Sequence, residues 1–192
     1  MPLDGRAGEM ARSLSAALRR LDFDKDEVAA LARAHELAME PRVARLGDDH
    51  HPAFLHPGRT ALILLHDVGK VDVTVLVLAA LHESQDEELR LPPSAVEAAL
   101  GAAAVTAISA IPRPGEERLV ESLVALGPGS ALAALAERLD HLRHLHLRED
   151  TIDSWADTHA EVLGAWLPFA QRVHPQLAKR YAHWARTFVK RI

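Results

Sequence analysis

Two apolar runs lie close together near the middle of the chain, Ala61–Leu65 and Val73–Leu81, and each ends on a histidine followed by an acid, His66-Asp67 and His82-Glu83. Eight of the nine residues in the second run are apolar. A helix there has no polar face to offer water and belongs in the interior. A histidine and a carboxylate at the end of a buried element are costly unless a metal ion or a paired group satisfies them. That requirement constrains the chain more than any other feature, and it makes the stretch from His56 to Glu87 the one around which the fold is organised.

The chain of 192 residues suits one domain, 1–192, with a real core. Alanine and leucine dominate the 48% apolar fraction over β-branched and aromatic residues, which favours helix. No cysteine is present, so a thiolate zinc site, a disulfide framework and a cysteine nucleophile are all excluded. A net charge of −5 argues against a nucleic-acid partner, which would want a basic stripe. The N-terminal MPLDGRAGEM carries no apolar signal segment, and no run reaches membrane-spanning length. A soluble cytoplasmic protein without a membrane partner is the expectation.

Periodicity gives helices throughout, and no strand-like alternation or internal repeat. Met10, Leu14, Leu18 and Leu21 keep helical spacing. Asp24 with Glu27 reads as a capping box opening a helix to about Met39, stopped by Pro41, with His35 facing inward as a hydrogen-bonded core residue. A short helix follows Pro57 to about Asp67, with Gly69 as its C-cap, and Asp72 caps the next, Val73 to about Ser84. Ser94 and Glu97 read as a second capping box, opening one helix to about Ile111. A short helix to Leu126 precedes one opened by Ser130, with Leu132, Leu135, Leu139 and Leu142 on one side and Glu137, Asp140, His141 and His144 on the other. Pro168 predicts a kink or break in a helix over 154–173, and Leu177, Tyr181, Trp184 and Phe188 mark the last helix. The expected architecture is an all-α globule of about eight to ten helices.

The polar side of the Glu137 helix reads by itself as a solvated face. It gains meaning beside His56 and His82-Glu83, each at an end of an apolar helix. Mixed imidazole and carboxylate ligands suit Mn²⁺, Fe²⁺ or Zn²⁺, and such an ion lowers the pKa of a bound water.

These segments together resemble the hydrolase domain of RelA/SpoT-type alarmone enzymes, a branch of the metal-dependent HD superfamily. The family's His-Pro at a helix start is similar to His56-Pro57, and its Asp-capped helix ending in His-Asp is similar to Asp72 through His82-Glu83. Its acidic pair resembles Asp86-Glu87, and its Asp-Arg-Leu-His-Asn-Met-Arg resembles Glu137 through Arg143. Its later Glu-x-Leu and Pro-Leu-Ala-x-Arg resemble Glu161–Leu163 and Pro168–Arg172. The likeness spans roughly residues 26–175.

The resemblance implies an HD-domain-like fold and a divalent metal, usually Mn²⁺, held by His56, His82, Glu83 and Glu137. It implies that Asp86 and Glu87 orient the attacking water or move its proton, and that Arg45 packs on the base of a small-molecule nucleotide. The implied reaction removes the 3′-pyrophosphate of (p)ppGpp. The chain has no room for a synthetase domain, so a small stand-alone hydrolase is expected. The departures are specific. Both metal-binding aspartates are glutamates, at 83 and 137, and each extra methylene moves the carboxylate by about 1.5 Å. The family's asparagine near the substrate is His141, and the acidic pair is reversed in order. Two alternatives stand beside this reading. One is a non-catalytic module that keeps the fold and binds a nucleotide or partner. The other is an HD phosphodiesterase or nucleotidase using Leu64-Leu65-His66-Asp67-Val68-Gly69-Lys70, with His35 as upstream ligand. The substrate, metal and oligomeric state stay open at this level.

Overall fold

The computed structural model describes residues 3–47 and 49–192. Among them the chain is helical throughout, without a strand. The elements are α1 Gly5–Arg20, α2 Lys25–Arg45, α3 His56–Asp67, α4 Val73–Leu81, α5 Pro93–Leu100, α6 Ala102–Ser109, α7 Leu119–Ala125, α8 Pro128–His144, α9 Trp155–Glu161, α10 Leu167–Val173 and α11 Pro175–Phe188. A π turn over Val162–Trp166 joins α9 to α10 as one continuous rod. Counted that way, the described residues form ten helices, in line with the all-α expectation.

Helix α4 lies at the centre, packed against α2, α3 and α8. Every residue from Val75 to Leu81 is buried, and only Val73 and Thr74 reach the surface. Asp72 accepts hydrogen bonds from the Thr74 N–H and hydroxyl, at 2.8 and 2.7 Å, and so fixes where the helix starts. Each large apolar side chain buried here contributes about 1.5–3 kcal/mol. The surrounding core draws on Leu18, Leu31, Leu64, Leu76, Leu135, Leu139, Trp166 and Tyr181. At its C-terminal end, α3 closes as expected. Gly69 takes φ +95°, and its N–H donates to Leu64 O at 3.0 Å.

Helix α2 opens with the expected capping box. Asp24 Oδ1 accepts the N–H groups of Asp26 and Glu27, both at 2.8 Å, and Glu27 Oε2 accepts the Asp24 N–H at 2.8 Å. It does not stop at Pro41, however, and runs on to Arg45. Proline in a helix forfeits one backbone hydrogen bond and crowds the preceding turn. Buried Arg42 holds that last turn in place: its Nη1 donates to Ala38 O at 2.9 Å and its Nε to Ala53 O at 3.0 Å.

The expected helix over 94–111 is two helices. Gly101 breaks it at φ +88°, a conformation open to glycine at no steric cost. Little burial opposes the break, since Val96 is the one buried residue of α5 and α6 has none. Neither of the capping groups expected at its start is used, because Pro92 is the N-cap and no side chain caps the helix. Likewise α8 starts at Pro128, ahead of Ser130. Pro168 does not break the rod over 155–173. The wider π turn immediately before it absorbs the missing N–H.

Helix α11 packs on α8, where the Tyr181 hydroxyl donates to Leu135 O at 2.8 Å and Trp184 Nε1 to Leu142 O at 2.7 Å. Among the described residues, no helix is long and apolar enough to cross a membrane.

Candidate metal centre

Three elements bring the titratable side chains together. Helix α3 begins with His56, the extended residues after α4 carry His82 and Glu83, and α8 supplies Glu137 and His141. One ligand atom from each of His56, Glu83, Glu137 and His141 lies within 4.8 Å of the other three. His141 Nε2 stands 2.8 Å from Glu137 Oε1 and 3.2 Å from Glu83 Oε1, and His56 Nε2 is 3.8 Å from the same Glu137 oxygen. The His56 and His141 rings stack with centroids 4.1 Å apart.

His82 lies beside this set, within the field of both glutamates and both imidazoles. The Nε2 atoms of His56 and His82 are buried without a hydrogen-bond partner, whereas that of His141 lies against the two carboxylates. Two buried imidazole nitrogens left unbonded, those of His56 and His82, beside two buried carboxylates make a donor set that a divalent cation would satisfy. The residues present therefore fit a metal.

The charges explain the protonation states. Burial pushes the Glu137 carboxyl up, but His141, His82 and His56 overcome it and hold the group at about 2. Burial likewise works against the Glu83 carboxylate, and His141, His56 and Arg42 bring it well below the usual range. Burial alone would lower His141, yet the two glutamates raise it to about 10. His82 is lowered by burial, with Glu137 and Glu83 opposing, so it is neutral and free to donate its lone pair.

A ring of further contacts fixes the ligands. Asp140 Oδ2 accepts from His56 Nδ1 at 2.8 Å, which turns His56 Nε2 toward the cluster. Arg59 holds that carboxylate with Nε at 2.9 Å and Nη2 at 2.9 Å. Arg42 Nη2 donates to Glu83 Oε2 at 2.7 Å, while Glu83 Oε1 accepts the Gln85 N–H at 2.9 Å. Ser84 gives its hydroxyl to Glu137 Oε1 at 2.6 Å. Arg138 pairs with Glu161 at 2.9 Å, linking α8 to the end of α9.

Of the residues expected from the sequence, His56, Glu83 and Glu137 converge, with His82 adjacent. His141, expected to touch substrate, sits among the carboxylates. Asp86 caps the single turn Glu87–Leu89 by accepting the Glu88 N–H at 3.0 Å. Glu87 is exposed and faces Arg90 at 3.5 Å. Arg45 is exposed at the end of α2, one turn beyond buried Arg42. Sequence reasoning missed Arg42, Arg59 and the carboxylate–imidazole bond of Asp140. Helical spacing carried the signal for the first, since His35, Met39 and Arg42 fall on one face of α2.

The His66-Asp67 alternative does not assemble. His66 is exposed, and Asp67 is held by Arg180 at 2.7 Å. His35 is wholly buried and lies against Gly58, near the other end of α3, about 14 Å away at 1.5 Å per helical residue. Nor is His35 the hydrogen-bonded core residue expected, because neither ring nitrogen has a partner; burial and nearby Arg42 lower it to about 4, which keeps it neutral.

Two cavities border the centre. One of about 40 Å³ touches His56, Asp140, His141 and Arg59, room for about one water. The other, about 440 Å³, runs along His82, Glu83 and Glu87 between Arg90, Arg113, Pro92 and Ile108.

A curated protein is similar to part of the chain that builds this centre. The chain is 32% identical over 123 residues to the human guanosine-3′,5′-bis(diphosphate) 3′-pyrophosphohydrolase MESH1, a match covering 60% of this chain and 66% of that protein. The aligned part is thus just under two thirds of the relative's length. No family model matches the chain, and no solved structure does.

Proposed function

We propose that this protein is a metal-dependent phosphohydrolase that removes the 3′-pyrophosphate of (p)ppGpp or a related nucleotide. The observation that carries the reading is the convergence of His56, Glu83, Glu137 and His141, with the buried Nε2 atoms of His56 and His82 left without a hydrogen-bond partner. The likeness to a human pyrophosphohydrolase supports it. His56, His82, Glu83 and Glu137 hold the divalent ion, with Mn²⁺ the ion that the family resemblance implies. When bound, the ion supplies Lewis acidity and lowers the pKa of a water molecule.

The chain's own groups do the rest. Asp140 fixes the His56 tautomer, and Arg42 orients the Glu83 carboxylate through its 2.7 Å contact. The cleft of about 440 Å³ beside His82 and Glu83 has the volume of a small-molecule site, which runs from about 300 to 1,000 Å³. Arg90 and Arg113 on its walls offer positive charge to phosphates. By the family resemblance Glu87, on the wall of the same cleft, and Asp86 before it would take the proton of the attacking water. Hydrolysis breaks the bond between the 3′ oxygen and its phosphorus, with water adding to phosphorus and the proton going to the departing oxygen. Arg45 is the candidate contact to the base from the α2 end.

The test is direct. Purified protein with Mn²⁺ should release pyrophosphate from (p)ppGpp, and His82→Ala should abolish both release and metal content. His66→Ala should leave both unchanged. Arg45→Ala should raise KM without changing metal content.

A second reading, a catalytically inactive binding module, is favoured by the way His141 already bridges Glu83 and Glu137. It predicts nucleotide or metal binding without turnover in the same assay. Wild-type protein that takes up no divalent metal at millimolar concentration would leave that module alone standing.

A further inference from the structure

We propose that His141 is itself a metal ligand, so that this centre presents three imidazoles and two carboxylates and discriminates toward nitrogen-preferring ions such as Zn²⁺ and Co²⁺. The inference rests on the metal reading above and goes beyond it in ligand set and ion class. Three observations place His141 in the shell. Its Nε2 lies 2.8 Å from Glu137 Oε1 and 3.2 Å from Glu83 Oε1, so it shares the space where those two carboxylates meet. Its ring stacks on His56 at 4.1 Å, and both Nε2 atoms approach the same oxygen, Glu137 Oε1. The neighbouring Nε2 atoms of His56 and His82 are buried without a hydrogen-bond partner, so the three imidazoles surround one shared space.

The geometry follows from the helix. Residues 137 and 141 are one turn apart on α8, so any ion held by the Glu137 side chain lies within reach of the residue four places on. The longer glutamates at 83 and 137 carry their oxygens toward this imidazole. Replacing an oxygen or water position by a third imidazole shifts preference along the order Mn²⁺ < Fe²⁺ < Co²⁺, because imidazole suits the later, more polarising ions better than Mn²⁺.

The competing account is that a protonated His141 occupies the ion's place and excludes it. The two accounts make opposite predictions for His141→Asn, which keeps a polar group of similar size. Metal-free wild type and His141→Asn would be titrated with Co²⁺, Zn²⁺ and Mn²⁺ by calorimetry, and the Co²⁺ forms compared by visible absorption. A ligand role predicts that Co²⁺ and Zn²⁺ affinity falls at least about tenfold in the variant, since even an outer-shell partner is worth that much. Mn²⁺ affinity should fall less, and the Co²⁺ bands should shift.

Unchanged Co²⁺ bands with unchanged affinity, or tighter binding by the variant, would overturn the role of His141 while leaving the metal reading intact. Absence of binding by both proteins would overturn both. His141→Gln serves as the second variant should the asparagine destabilise the helix.

Discussion

Arg42→Met tests the most deeply buried cation in the structure. The guanidinium is 2% exposed, and its partner Glu83 is 3% exposed. Three contacts are lost together, to Ala38 O at 2.9 Å, Ala53 O at 3.0 Å and Glu83 Oε2 at 2.7 Å. Methionine fills much of the space, so the penalty is electrostatic: a carboxylate remains in the interior with one oxygen stripped of its cation. Breaking one side of a buried pair costs about 3–5 kcal/mol, and for a chain of this length each kcal/mol moves Tm by about 2–4 °C. Metal-free protein should therefore melt about 6–20 °C lower. A divalent ion on Glu83 would replace the missing charge, so the deficit against wild type should shrink when metal is bound to both proteins. Thermal melts with chelator and with saturating metal measure both effects. A loss below about 1 kcal/mol, or the same deficit with and without metal, would refute this view of Arg42 as the counter-ion of a metal ligand.

Asp140→Asn should weaken metal affinity by about 10- to 100-fold with the fold intact, as removal of a carboxylate behind a ligating histidine does; calorimetric titration reads it directly. In metal-free protein the raised His141 contributes stability that is whole below its ordinary value of 6.5 and is lost as pH rises through about 10. The lowered Glu137 contributes stability present above 4.5 and lost as pH falls through about 2. Melting temperature should thus decline from about pH 6.5 upward in wild type and stay flatter in His141→Asn. Asp67→Ala removes an ion pair whose arginine is half exposed, so it should cost less than about 1 kcal/mol and leave metal content unchanged; loss of metal would revive the His66-Asp67 reading.

The parts of the fold legible in the sequence were those set by local chemistry. The unbroken apolar run of α4, the capping box at Asp24 and the glycine stop at Gly69 each need only near neighbours. The misread boundaries depend on distant partners. Pro41 looks like a stop because Ala53 and Glu83, which hold Arg42, lie far along the chain. Gly101 breaks a helix whose flanks happen to bury almost nothing, a property of the packing and not of the segment. In the centre, His56 and His82-Glu83 stood out because they end apolar helices. Glu137 and His141 were visible as a polar face, but not that the face turns inward. Arg42 and Asp140 were hidden because a residue supporting a ligand has no signature beyond its helical phase.

The two side-chain bonds from α11 to α8 have a consequence for how the centre opens. Their acceptors, Leu135 and Leu142, bracket the two turns that carry Glu137, Asp140 and His141. The C-terminal helix therefore acts as a splint bolted at both ends of the segment it supports. Detaching it exposes Tyr181 and Trp184 and unpins those turns in the same event. The ordering of the ligands and the docking of a helix near the end of the chain then share one opening free energy, so amide hydrogens along both should exchange in step.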